Sequence, residues 1–486
     1  MRRLTIFFSA LALFGLVSPP PASASEAGIA RVTQALHIAS GGLLTDSANI
    51  STGAAPDVYV ISFADVRHFF NDGAGIELGP VTGEARIIDD HTITIRIDLP
   101  QRILFYDGVT AEPDVITAQR ARLEFSFDED LGLARSMRLA VNGMDLEFAP
   151  FQIAVADLTY TYDLQPVRNG SGREDMRFAI RGVQARAPDA GATFSLAAME
   201  TSYQADAVPL AKMATMQAAL ADAERRSRAS GHPAGLADSA QARAAVAAYV
   251  AAIGEHLDNG QWEFSLQGLR YADSSTGEAY SSDRTRLSGA VHNGQSESPV
   301  LSFTLLDLSR YVPGDGAGGP GAALPQGLNA PRTDVALTLQ PFPLRDWTRI
   351  IADTLSASPD PVFDAMALRE MGPLLTASLV GAGSQLSFDR ASITAGPLAT
   401  SLAGALTVSG SGEMGLVGEL VWRTTGAVQA LQALTALPGH DQVSGGLALG
   451  LQQIIAAGRP DSGGHAFTIT LPPVGPPTFD PPLLGD

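Results

Sequence analysis

The chain has 486 residues, 45% of them hydrophobic and 17% charged, with no cysteine and a formal net charge of −19 at pH 7. That apolar content supports packed cores and excludes a mainly disordered chain, and the acidic balance, which repels phosphate backbones, excludes nucleic acid as a partner. The absence of cysteine excludes disulfides, thiolate metal sites, cysteine nucleophiles and a lipid-modified cysteine anchor.

The chain opens with Met1-Arg2-Arg3, an apolar run from Leu4 to Val17, a break at Ser18-Pro19-Pro20-Pro21 and the small residues Ala22-Ser23-Ala24. A basic start, an apolar middle too short to span a bilayer and an Ala-x-Ala site define a secretory signal peptide. Cleavage is expected after Ala24, which puts the mature protein in the periplasm. No later stretch approaches the roughly 18 uninterrupted apolar residues of a membrane helix, so the mature chain is expected to have no transmembrane span.

After an N-terminal segment over residues 25–57, a β-rich domain is expected over residues 58–312. Ile93, Ile95, Ile97 and Leu99 alternate with Thr94, Arg96 and Asp98; Leu123, Phe125 and Phe127 alternate with Glu124, Ser126 and Asp128; Leu158, Tyr160, Tyr162 and Leu164 continue the pattern. A period of two marks antiparallel strands with one buried and one wet face. At Pro209 the period changes: Leu210, Met213, Met216 and Leu220, then Val246, Tyr249, Val250, Ile253 and Leu257 recur at helical spacing on either side of Ser230-Gly231-His232-Pro233. This predicts a helical hairpin over residues 209–258, ended by Asn259-Gly260, that covers an apolar sheet face.

Strands resume at Trp262, Phe264 and Leu266 and at Leu301, Phe303 and Leu305. Residues 313–331 hold a Gly/Pro-rich loop that is the best internal boundary, and a second β-rich unit with helices is expected over 332–472. Its helices are placed around Leu344–Leu355, Val362–Leu379, Val428–Leu437 and Leu447–Ala456, and residues 473–486 read as an extended proline-rich tail. One repeat stands out: Met176-Arg177-Phe178-Ala179-Ile180-Arg181-Gly182-Val183 recurs 86 residues later as Trp262-Glu263-Phe264-Ser265-Leu266-Gln267-Gly268-Leu269, and Gly191 matches Gly277 at the same offset. Two similar strand-turn-strand units are the physical reading. The fold class is therefore α+β, mainly antiparallel β, as elongated curved sheet with an apolar face, a helical hairpin and short covering helices.

The residues offer no catalytic motif. The 8 histidines are scattered without a pair that could present two nitrogens to one ion. Asp89-Asp90-His91 and Asp128-Glu129-Asp130 read as solvated turns and lack the spacing of a calcium loop. There is no Gly-x-Ser-x-Gly elbow, Lys212 is the only lysine, and Glu255 and His256 point about 100° apart on a helix. No catalytic residue, metal ligand or cofactor is assigned. Phe125, Phe127, Tyr160, Phe178, Trp262 and Phe264 are instead the candidates to line an apolar groove.

Phe264-Ser265-Leu266-Gln267-Gly268-Leu269-Arg270-Tyr271 with its Gly277 turn, and Gly396-Pro397-Leu398-Ala399-Thr400-Ser401-Leu402-Ala403-Gly404 leading to Gly418-Glu419-Leu420, give a hairpin texture from Val58 to Leu471. In this, and in its signal peptide, the chain resembles the AsmA-like and TamB-like envelope proteins, and more closely a family of exported alphaproteobacterial proteins built on a domain of unknown function. The resemblance implies an elongated sheet with an apolar groove that serves lipid handling or envelope homeostasis. The chain departs from the AsmA-like pattern in lacking a retained N-terminal membrane helix. A non-enzymatic periplasmic protein that holds acyl chains is the leading expectation. The alternative is a module that binds or assembles another envelope protein; a secreted hydrolase ranks third, and an outer-membrane barrel last.

Overall fold

A computed structural model describes residues 24–39, 48–53, 55, 57–69, 74–107, 113–148, 151–167, 170–187, 191–230, 239–312, 328, 330–357, 365–411, 415–436 and 442–482. The predicted leader through Ser23 and most of the Gly/Pro-rich loop lie outside those residues. The protein is mainly antiparallel β with a minority of helix, and it divides into two compact units, neither contiguous in sequence. One takes the residues up to Arg181 with Ser202–Leu257 and Arg345–Gly372; the other takes Gly182–Thr201, Asp258–Leu344 and Pro373–Asp486.

The first unit begins with helix α1 (Ala24–Ala39), followed by β1 (Ala48–Thr52), β2 (Val58–Phe69), β3 (Ala74–Ile87), β4 (Thr92–Leu99), β5 (Arg102–Asp107), β6 (Asp114–Asp128), β7 (Leu133–Phe148) and β8 (Phe151–Pro166). β3 pairs with both β4 and β5, each of these pairs with β6, and β6, β7 and β8 continue as an antiparallel meander. Alternation divides the residues as the sequence suggests: Ile93, Ile95 and Ile97 are buried, while Thr94, Arg96 and Asp98 face away. Register carries the same face across strands, Ile95 opposite Phe125, Phe125 opposite Met137 and Met137 opposite Tyr162.

Helix α1 packs Val32, Ala35 and Leu36 into this core. Arg31 fastens it: its Nε donates to both carboxylate oxygens of Glu129 at 3.0 and 2.8 Å, and its Nη2 donates to the carbonyls of Asp89 and Asp90 at 3.1 and 3.0 Å. Asp89 meanwhile closes its own turn, its Oδ1 accepting from the backbone N–H groups of His91 and Thr92. The two acidic turns noted in the sequence thus hold a helix in place.

β9 (Ser171–Ala187) and β10 (Ala192–Pro209) form the next hairpin, and α2 (Leu210–Ser230) and α3 (Ala240–His256) follow. The Ser239 hydroxyl caps α3 by accepting from the Ala242 N–H. At its other end α3 stops at His256, with the Leu257 N–H bonded to the Ile253 carbonyl, rather than at the predicted Asn259-Gly260. Gly260 is already committed to the ladder of β11, opposite Val291. Gly254 on α3 lies against α4 (Leu344–Ala357): a Cβ there would meet Thr348 Oγ1, so only glycine allows this approach.

In the second unit β11 (Gly260–Asp273), β12 (Ala279–His292), β13 (Val300–Val312), β14 (Arg332–Gln340), β15 (Gln385–Ala395), β16 (Leu398–Val408) and β17 (Leu416–Thr425) pair in order, each antiparallel to the next, and β17 pairs with β19 (Gly464–Leu471). The Gly/Pro-rich segment joins β13 to β14, which pair from Leu301↔Leu339 to Leu308↔Arg332, so it connects neighbouring strands of one unit. α5 (Ala365–Ala382), α6 (Ala427–Thr435) and α7 (Gln442–Ala457) fall close to their predicted places; α6 buries Ala427, Ala430 and Leu434 against Leu451 of α7. The proline-rich end is not wholly extended tail: β20 (Thr478–Asp480) adds an edge strand to β19, the place in a sheet where flanking prolines are tolerated.

The sequence repeat has a backbone counterpart. Gly182 and Gly268 both hold a left-handed φ, +64° and +61°, and so do their turn glycines Gly191 and Gly277 at +68° and +73°. Gly268 is passed over in the ladder, where Gln267 and Leu269 pair with Arg284 and Ser282. A left-handed backbone conformation favours glycine at the matched position of both copies.

Candidate functional site

The six candidate aromatics do not form one lining. Phe125 and Phe127 are core residues, Phe127 with 0% of its surface exposed, so in the first unit their hydrocarbon is consumed by the protein's own packing. Tyr160 and Phe178 are half-buried in that unit. Trp262 and Phe264 belong to the second unit, where Trp262 is 37% exposed and its ring meets Phe303 with centroids 6.3 Å apart.

Around Trp262 and Phe264 the register aligns an apolar lane. Trp262 faces Gly289, Gly289 faces Phe303, Phe303 faces Leu337 and Leu337 faces Phe388; beside them run Phe264, Leu287, Leu305 and Val335. Directly paired residues share a sheet face, so this is one continuous surface. At about 4.8 Å per strand it extends roughly 19 Å from Trp262 to Phe388. Phe264, Leu287, Phe303, Leu305, Val335, Leu337 and Phe388 are all half-buried, in contrast to the sealed Ile93, Ile95 and Ile97 of the first unit. Gly289 leaves room for the indole edge, since a Cβ there would strike Trp262.

A second constellation was not singled out by the sequence. On β9, Gly172 lies against Leu164 and Leu210, so this face looks toward α2. Alternation puts Glu174 on the same face. Tyr160 and Tyr162 of β8, Tyr203 of β10 and Tyr249 of α3 lie near enough for its charge to act on all four hydroxyls. The Tyr162 hydroxyl approaches Met213 Sδ of α2 at 3.8 Å. Burial raises the Glu174 pKa from 4.5 to about 7 and is the only influence upon it. Burial first, and Glu174 second, push Tyr160 and Tyr203 up to about 12 and raise Tyr162 and Tyr249 as well. The available signal was a carboxylate in the apolar register of an alternating strand, between Gly172 and Met176.

The opposite face of the first unit is ionic. Arg122 Nε donates to Asp98 at 2.9 Å and holds that carboxyl below its ordinary pKa. A cleft of about 500 Å³ on this side is lined by Thr161, Asp163, Arg173, Asp175, Arg177 and Gln204 among others, but its charges already pair: Arg177 and Gln204 both donate to Asp175. Among the described residues no group of three or more His, Asp or Glu side chains could hold a metal ion, and no helix is long and apolar enough to cross a membrane. No family model, curated protein or solved structure matches the chain.

Proposed function

We propose that the protein is a non-enzymatic periplasmic carrier that holds hydrocarbon chains, such as those of membrane lipids, along the apolar lane of its second unit. The observation that carries this reading is the contrast between two apolar faces of like pattern. In the first unit α1 packs on a face where Ile93, Ile95, Ile97 and Phe127 are buried; in the second, consecutive strands leave aromatic and aliphatic side chains half-open in an aligned row. Removing such a surface from water is favourable at about 25 cal/mol per Å², and an acyl chain lying across the strands would do so without a specific polar partner. Export through the N-terminal leader supports the compartment, and the resemblance to envelope proteins supports the ligand class.

Native mass spectrometry of the full-length protein purified from bacterial envelopes, together with uptake of a fluorescent fatty acid, tests the reading. Phe303→Glu or Leu337→Glu should abolish uptake, and Ala336→Glu, on the other face beside Arg390, should leave it intact. A wild-type protein that carries no lipid and takes up no fatty acid would overturn the proposal. Co-purification of a stoichiometric protein in place of lipid would favour the assembly module.

A further inference from the structure

The hydrocarbon lane of the second unit is bounded on its own sheet face by a polar row. Beyond Leu287, Leu305 and Val335 the registers put Thr285 opposite Asp307 and Asp307 opposite Thr333. Directly paired residues share a face, and steps of two along β12, β13 and β14 return to it, so this row flanks the lane. At about 3.4 Å per residue it lies roughly 7 Å past Leu305 along β13. Asp307 is the one charged residue that the paired registers of β12, β13 and β14 place on the lane face. Arg286 and Arg332 lie on the opposite face, paired there with Glu263 and Asp334.

Asp307 is half-buried and held by hydroxyls. Thr285 Oγ1 donates to Asp307 Oδ1 at 2.6 Å, and the Ser282 hydroxyl, on a residue only 1% exposed, lies 3.0 Å from Thr285 Oγ1 and 3.4 Å from the same Oδ1. A break in register between Ser282 and Arg284 brings Ser282 to this face, opposite Ser309. Both contacts converge on one carboxylate oxygen, and among the described residues no ion pair and no other hydrogen bond forms with Asp307. The surface thus presents two rows of hydrocarbon and then a negative charge set among hydroxyl oxygens. A ligand that matches both parts has an alkyl chain and a cationic head rich in N–H donors; a carboxylate head would meet like charge. We infer, on the basis of the lane proposed above, that its ligand is an amphiphile with a primary ammonium head. The chain covers Phe303, Leu305, Val335 and Leu337, and the ammonium donates to Asp307 in a charge-assisted hydrogen bond.

The test is displacement of the fluorescent fatty acid from the full-length protein by dodecylamine, dodecanol and dodecanoic acid, which share one chain and differ in the head. Dodecylamine should displace it at a concentration about tenfold below dodecanol, the lower end of what one hydrogen bond to an ion contributes, and dodecanoic acid should be the weakest of the three. Ethylamine, a head without the chain, should displace nothing at these concentrations. Asp307→Asn, with its circular dichroism unchanged, should bring dodecylamine level with dodecanol. Asp334→Asn makes the same change in net charge on the other face and should keep the preference. Thr333→Lys puts a cation opposite Asp307 and should turn the order toward dodecanoic acid. Equal displacement by dodecylamine and dodecanol, a preference that survives Asp307→Asn or is lost as fully in Asp334→Asn, or displacement by ethylamine would overturn the proposal. Uptake of the fatty acid without preference for the amine sinks the head site and leaves the lane standing, whereas a protein that takes up no chain at all sinks both.

Discussion

Replacing Glu174 with Gln should stabilise the first unit, and only at the higher pH. The carboxyl titrates near its ordinary 4.5 in the unfolded chain and at about 7 in the fold. A carboxyl whose folded value is raised binds its proton more tightly when folded, so its favourable contribution is complete below pH 4.5 and is lost as the pH climbs through 7. At about 1.4 kcal/mol for each tenfold change in proton affinity the full loss is about 3 kcal/mol, and solvent reaching the half-buried side chain lowers it toward about 2. Gln does not ionise and escapes the penalty. The variant should exceed the wild type by about 2 kcal/mol at pH 8 and match it to within ~0.5 kcal/mol at pH 4.5. Hydrogen exchange of peptides within residues 171–181 and 202–209 reports this unit separately from the other, which matters because two units need not unfold together. A stability difference between the two proteins that is the same at both pH values would refute the argument.

Three further outcomes follow from the packing. Arg31→Ala should cost about 1.5 kcal/mol, the worth of a charge-assisted hydrogen bond to a partly buried carboxylate, and should speed exchange in residues 24–39 before it affects β6. Phe127→Ala, at a site with no exposed surface, should destabilise by about 3–5 kcal/mol in denaturant unfolding without changing fatty-acid uptake, since the ring serves the core rather than the lane. Gly254→Ala should cost about 1–3 kcal/mol through its collision with Thr348 Oγ1, and Thr348→Ala should restore most of that; independent losses in the double variant would refute the contact.

The legible part of this protein was local. Alternation in β4, β6 and β8 and helical spacing after Pro209 follow from two periods that any window of the chain displays, so element types and their wet and apolar sides could be read directly. What covers an apolar side could not. Phe127 and Phe264 occupy similar alternating strands, yet one is sealed and the other half-open, because the difference depends on helices that arrive from elsewhere in the chain. The turns at Asp89 and Glu129 read correctly as turns, while their shared task of gripping Arg31 depends on a contact between residues 98 positions apart. Glu174 was missed for a related reason. Searches for chemistry favour pairs and motifs, whereas this residue is conspicuous only as a lone acid in an oily register.

The docking of Arg345 and Thr348 against Gly254 bears on the order in which the chain can be completed during synthesis. The α2–α3 pair leaves the ribosome with one flank bare, and its strut is encoded about ninety residues downstream, after four strands that belong to the other unit. A nascent chain must therefore carry an unfinished half past the point where β11 to β14 are made. Cutting the gene at the glycine-rich connection would yield a fragment missing a brace rather than a self-sufficient piece.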